Sequence, residues 1–284
     1  MRSPEVQTIT AGDGLPLALH DFGGTGRGVL LLHGITANAR SMEHFARYLL
    51  PDHRVFALDF RGRGESGQPA RGAGLTEHAL DAEAALCHVR AVTGEDPDVV
   101  GHSMGGLVAL IVAAQEAAPL RRAVLVDGAG DVEAVNLEAI KPSLARLEAE
   151  LPSEEAYRAA FRAAPHLQPW NDAVEAFVRW DMRALPSGAV RSRISAGQIL
   201  EEMERNAPIR LAPYQAQIRR EVLILRAPEP VAAGLAPVFD REAGRRAHAA
   251  IRESLLIEVP WAHHYSIALQ EQPVVAAALG QFLR

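Results

Sequence analysis

Four short apolar runs recur along the chain: VLLL at 29–32, the valines of DVV at 98–100, AVLV at 123–126 and VLIL at 222–225. A strand apolar on both sides must be covered on both faces, as central strands of a parallel sheet are. Helical patterns lie between and after these runs, over 41–50, 77–92, 104–117, 241–251 and 272–283. This alternation predicts an α/β fold with helices on both faces of a mostly parallel sheet. HRVFALDF and SLLIEVP add two strands, and EVQTITA and LPLALHDF, separated by GDG, read as a hairpin. Eight strands are therefore expected. The chain has 284 residues, 48% of them hydrophobic, enough to bury one large core.

One connection breaks the rhythm. Between AVLVDGAG and EVLILRA lie roughly ninety residues, far more than a crossover helix needs. The segment 131–211 is rich in Ala, Glu and Arg and carries Tyr157, Phe161, Trp170, Phe177 and Trp180. It reads as a helical cap inserted into a core made of 1–130 and 212–284. It leaves from the carboxyl end of a central strand, where open α/β sheets bind ligands. Trp170 and Trp180 are therefore candidate substrate contacts.

A strand meets a helix in VVGHSMGGLVAL, 99–110. GHSMG fits G-x-S-x-G in the strand–turn–helix setting that makes a nucleophile elbow. A sharp turn there holds Ser103 in a strained conformation, and small residues at Gly101 and Gly105 let the two arms approach. A plain helix cap is the competing reading of Ser103. Around it, LLLHGITAN places Ile35 after a glycine turn, so the N–H groups of Ile35 and Met104 form a candidate two-donor oxyanion hole. ALDFRGRGESG supplies a glycine-punctuated loop at 57–67, and EVPWAHHYS places histidines beyond the last strand.

These four ordered motifs resemble the α/β-hydrolase superfamily, over about residue 5 to the carboxyl terminus. The resemblance implies a histidine at the Gly-His place of the last loop, which His264 occupies, with His263 where the family has glycine. His263 then stands beside the site as a candidate substrate contact. His33 and His102 read as makers of loop hydrogen bonds. The family usually carries its acid after the seventh strand, where this chain reads LILRAPEPVAA. With Ala227 at the glycine place, Pro230 falls on the acid position, and Glu229 is one residue off. The superfamily's other acid site, the end of the sixth strand, offers Asp127, 24 residues after Ser103. Asp127 is preferred over Glu229, Asp131 and Asp240. HGIT, with an acid after the sixth strand and none later, also resembles the acetamidomethylene-succinate hydrolases. Those enzymes cleave an enamide bearing carboxylates, for which Arg191 and Arg193 are the candidate partners here.

The expected activity is that of a serine hydrolase acting on a small-molecule ester or amide. Carbon–carbon bond hydrolysis and perhydrolysis are alternatives served by the same triad, and a non-catalytic ligand-binding protein is a third. No cofactor and no metal is expected, since no His/Cys cluster has ligand spacing beyond the adjacent His263–His264 pair. A net charge of −6, with both signs interspersed, excludes a basic nucleic-acid footprint. No stretch reaches the roughly 18–20 apolar residues that span a bilayer. No signal-peptide core is present, so a cytoplasmic protein is expected. The lone Cys87 rules out an internal disulfide and reads as a small core residue. Nothing in the sequence specifies an oligomeric state.

Overall fold

The computed structural model describes residues 3–131 and 137–284. Strand β1 (Glu5–Thr10) pairs antiparallel with β2 (Pro16–Gly23) across the GDG turn. The chain then alternates: β3 (Gly28–Leu32), α1 (Glu43–Leu49), β4 (Arg54–Leu58), α2 (Leu75–Thr93), β5 (Asp98–His102), α3 (Met104–Ala113) and β6 (Ala123–Val126). The intervening segment holds α4 (Leu137–Glu148), α5 (Glu154–Arg162), α6 (Asp172–Asp181), β7 (Met182–Ala184), β8 (Val190–Ser192), α7 (Ala196–Asn206) and α8 (Ala212–Gln217). The alternation resumes with β9 (Val222–Arg226), α9 (Arg241–Ala250), β10 (Ser254–Glu258), α10 (Ser266–Leu269) and α11 (Pro273–Phe282).

Eight of these strands form one sheet in the order β1-β2-β4-β3-β5-β6-β9-β10. From β4 to β10 all pairs are parallel, and β2 lies antiparallel on both β1 and β4. Successive side chains of a strand point to opposite faces. Leu30 and Leu32 accordingly join the core under α2, α3 and α9, while Val29 and Leu31 join the core under α1, α10 and α11. The four apolar runs are the strands β3, β5, β6 and β9, buried at every position.

The connection between β6 and β9 contains helices, as expected, and also the short antiparallel pair β7–β8. A Pro-Ser-Gly turn makes that pair, with Gly188 at φ 85°. The predicted boundary at 131 adjoins residues 132–136, which lie outside the described residues. Among the bonds that tie the insert to the core, Asn206 Oδ1 accepts from the Leu75 N–H at 2.8 Å and Asn38 Nδ2 donates to the Phe177 carbonyl at 3.1 Å, while Asp131 Oδ1 accepts from the Leu211 N–H at 2.6 Å and joins the two ends of the insert. Cys87 corrects an expectation, because it is exposed. The buried stripe of α2 runs through Leu75, Ala79, Ala82, Leu86 and Val89, and Cys87 projects away from it.

The strand–helix crossing at β5–α3 leaves no room for side chains. A Cβ on Gly101 would stand 2.1 Å from the Gly105 carbonyl oxygen, and one on Gly105 would stand 2.2 Å from the Leu32 oxygen. Gly280, in α11, faces open space. Gly105→Ala should therefore cost about 3 kcal/mol or more through forced backbone displacement. Gly280→Ala should instead gain about 0.5–1 kcal/mol of helix propensity. Thermal unfolding checks the pair: Tm should fall by roughly 6 °C or more in the first and rise in the second.

Candidate active site

The elbow follows from these clashes. Ser103 sits at φ 56° and ψ −121°, outside the regions open to ordinary residues. Its N–H donates to the Val126 carbonyl at 2.9 Å, and its own carbonyl accepts from Gly106 and Leu107. Ser103 occupies the N-cap place of α3, yet its side chain makes no capping hydrogen bond. The hydroxyl is left to the cavity that Ser103 lines with Gly34, Ile35, His102 and His264.

Asp127 ends β6 on the neighbouring strand, also at positive φ, 49°. Its Oδ2 accepts from His264 Nδ1 at 2.7 Å, and its Oδ1 accepts from the Ala227 N–H at 2.8 Å. Both side chains are nearly or fully buried. Holding the proton of His264 on Nδ1 leaves Nε2 as the basic nitrogen. The backbone of His264 is held too: its carbonyl accepts from His102 Nε2 at 2.9 Å. Burial, and His264 beside it, keep His102 neutral, with its pKa well below the usual imidazole value. Two other acids are occupied elsewhere, Asp240 capping α9 through the Ala243 N–H and Asp131 holding Leu211, while the Glu229 backbone forms an isolated bridge with His263.

The loop after β3 is aligned by two buried side chains. Phe60 N–H donates to His33 Nε2 at 3.1 Å, so His33 carries its proton on Nδ1 and donates to the Gly34 carbonyl at 2.7 Å. In a trans peptide the N–H opposes the C=O. Anchoring the Gly34 carbonyl on His33 therefore turns the Ile35 N–H the other way. The Ile35 carbonyl is held in turn by Arg63, through Nε at 3.2 Å and Nη2 at 3.1 Å. Met104 opens α3, so its N–H belongs to the first turn, which lacks an intrahelical acceptor. Among the described residues, neither the Ile35 nor the Met104 N–H has a protein acceptor.

The cavity measures about 270 Å³ and its walls are mainly apolar. Leu151, Tyr157, Phe161 and Phe177 come from the insert, Tyr265 from just after His264, and Leu269 from the end of α10. Arg146 and His166 also line it. Sequence reasoning missed both. The signal available was the amphipathic pattern of α4, which places Arg146 one residue before the buried Leu147.

Five expected substrate contacts lie elsewhere. Trp180 spends its indole N–H on Asp59 Oδ2 at 2.9 Å and packs edge-on to His20. Trp170 lies under Arg162, with its N–H on Glu175. Arg191 faces Glu150 at 3.8 Å, and Arg193 donates to the Met182 carbonyl while approaching Glu65. His263 turns inward on its own loop, where its Nδ1 accepts from the N–H groups of Tyr265 and Ser266 at 3.3 Å. None of the five lines the cavity. Each finds its partners within the insert, on β2, on the loop after β4 or in its own turn.

Burial pushes the pKa of His33 from 6.5 down to about 4. The unfolded chain therefore takes up this proton first. The stability tied to neutral His33 is complete above pH 6.5 and is lost as pH falls towards 4, at about 1.4 kcal/mol per pH unit. Urea unfolding of wild type and His33→Gln at pH 7 and pH 5 measures it. The variant should lose roughly one proton's worth of the pH slope.

The chain is similar to known proteins. The chain is 34% identical over 120 residues to a non-heme haloperoxidase of Rhodococcus erythropolis, covering 42% of each. It is 26% identical over 174 residues to 2-(acetamidomethylene)succinate hydrolase of Mesorhizobium japonicum, covering 61% of this chain and 55% of that one. The chain thus spans about half the length of the curated relatives it matches. The crystal structure of E-2-(acetamidomethylene)succinate hydrolase superposes with a TM-score of 0.83 over 99% of both chains at 21% identity, a likeness of fold. The model of the Alpha/beta hydrolase family matches residues 29–279. With that match spanning most of its length, and with the eight-stranded sheet in place, this chain belongs to the alpha/beta hydrolase family of enzymes.

Proposed function

We propose that this enzyme is a serine hydrolase that cleaves a small carboxylic ester or amide through an acyl-enzyme. One observation carries the reading: Asp127 holds the Nδ1 proton of His264 at 2.7 Å, and both His264 and the strained Ser103 face one cavity. Ser103 Oγ attacks the substrate carbonyl while His264 Nε2 takes its proton. The oxygen gains the carbonyl electron pair and is stabilised by the N–H groups of Ile35 and Met104, each worth about 2.7–4 kcal/mol if comparable to a measured donor. Collapse of this intermediate expels the leaving group, which receives the proton from His264. Water then repeats the sequence on the acyl-enzyme, releasing the acid and restoring Ser103. The insert serves as a cap that walls the acyl side of the site.

A fluorophosphonate should label Ser103 stoichiometrically, and Ser103→Ala should abolish labelling and lower ester turnover by about 10⁶. Wild-type turnover in the Ser103→Ala protein rejects the nucleophile. The acid is tested separately. Asp127→Asn favours the wrong imidazole tautomer and should lower kcat/KM by about 10⁴. Glu229→Gln should stay within about tenfold of wild type. The reverse order would place the acid in the turn after β9.

A further inference from the structure

We propose that the cavity is built for an uncharged, mainly apolar acyl group, and that Asp181 is the specificity-determining residue that cancels the cavity's charge. This rests on the serine-hydrolase reading above. Arg146 is the only described lysine or arginine that lines the cavity. An arginine that recognises a carboxylate presents two parallel N–H groups to it. Each Nη of Arg146 already donates to a protein acceptor. Nη1 donates to Asp181 Oδ2 at 2.5 Å, Nη2 donates to the Thr36 carbonyl at 3.1 Å, and the guanidinium lies 4.7 Å from the centre of the Phe161 ring.

Asp181 is itself locked in place. Its side chain is fully buried, Tyr157 OH donates to the same Oδ2 at 2.5 Å, and Ser192 Oγ donates to Oδ1 at 2.9 Å. Arg146 and Asp181 thus form a closed, net-neutral pair in the cavity wall. His166 adds no charge near neutrality, since burial and the neighbouring His263 and Arg146 lower its pKa to about 4. Arg191 and Arg193, the cations expected to meet substrate carboxylates, bind elsewhere. A carboxylate entering this cavity would lose hydration without gaining an unpaired cation, a costly exchange.

The test compares two nearly isosteric esters, p-nitrophenyl 4-methylpentanoate and p-nitrophenyl hydrogen succinate, corrected for spontaneous hydrolysis. Wild type should prefer the first in kcat/KM by at least about tenfold, the least expected for an uncompensated buried carboxylate. Parity, or preference for the succinate, overturns the proposal. Asp181→Asn keeps the shape and releases the charge of Arg146. Provided that Ser103 still reacts with a fluorophosphonate, the preference should shrink by about tenfold, mainly through a lower KM for the succinate. An unchanged ratio in that labelled protein overturns the role of Asp181. If Asp181→Asn does not fold, Arg146→Gln takes its place. It leaves Asp181 as an unpaired anion, so the preference for the neutral ester should increase, and an unchanged ratio again overturns the role. Turnover of neither ester, with no labelling of Ser103, is instead the failure of the hydrolase reading.

Discussion

The N–H of Ser103 is bonded to the carbonyl of Val126 while its φ of 56° stays outside the open regions of backbone space. A residue held this way costs about 1–3 kcal/mol, and it persists only where its surroundings leave no alternative. Here those surroundings are backbone. Gly101, Gly105, Gly106 and Gly128 each abut a main-chain carbonyl at a distance no Cβ could occupy. The helix is thereby pressed against the ends of β3, β5 and β6, and the serine has no relaxed position to fall back to. Everything else about the site is measured from that fixed point. Asp127 ends the next strand over, and a Cβ added to Gly34 would stand 3.7 Å from the serine hydroxyl.

A second layer of order comes from the loop after β4. Asp59 is fully buried and accepts hydrogen bonds from the N–H groups of Ala39 and Glu65, from Trp180 and from His20. Burial would raise its pKa, but His20 and the other donors outweigh burial and lower it. Arg63, four residues on, holds the Ile35 carbonyl with one edge of its guanidinium and Glu202 of α7 with another, at 2.6 Å. The same Glu202 takes a bond from His78 of α2 at 2.8 Å. One loop thus fixes both the peptide beside Ser103 and the seat of the insert.

Much of this was legible in the sequence because it depends on local rules. Buried parallel strands must be apolar runs, a tight strand–helix turn must have glycines at set positions, and a polar residue must stand at the end of a strand to face the site. Ser103 and Asp127 stand at such positions, directly after β5 and β6, and His264 lies on the loop after β10. The cavity wall was not legible, because it depends on which way each helix of the insert rolls. Trp170 and Trp180 were conspicuous by size, but their ring N–H groups found Glu175 and Asp59. Arg146 and Asp181 were inconspicuous, since charges on helices are ordinarily solvated. Their partnership spans 35 residues and three elements, and no periodicity announces it. Cys87 failed for the same reason: an alanine-rich helix offers several faces, and composition does not choose among them.

The carboxylate of Asp127 is grasped from both sides, by a histidine on one oxygen and by the Ala227 N–H on the other. Val126 and Leu225 are paired across the sheet, so the turns that follow them lie side by side. To the imidazole they form a single shelf, on which one turn contributes the charge and its neighbour the donor that steadies it. Position on that shelf, rather than order along the chain, puts a carboxylate beside the imidazole. A carboxylate moved to the β9 turn would need a donor from the β6 turn to hold its second oxygen, so the two places exchange duties together or not at all.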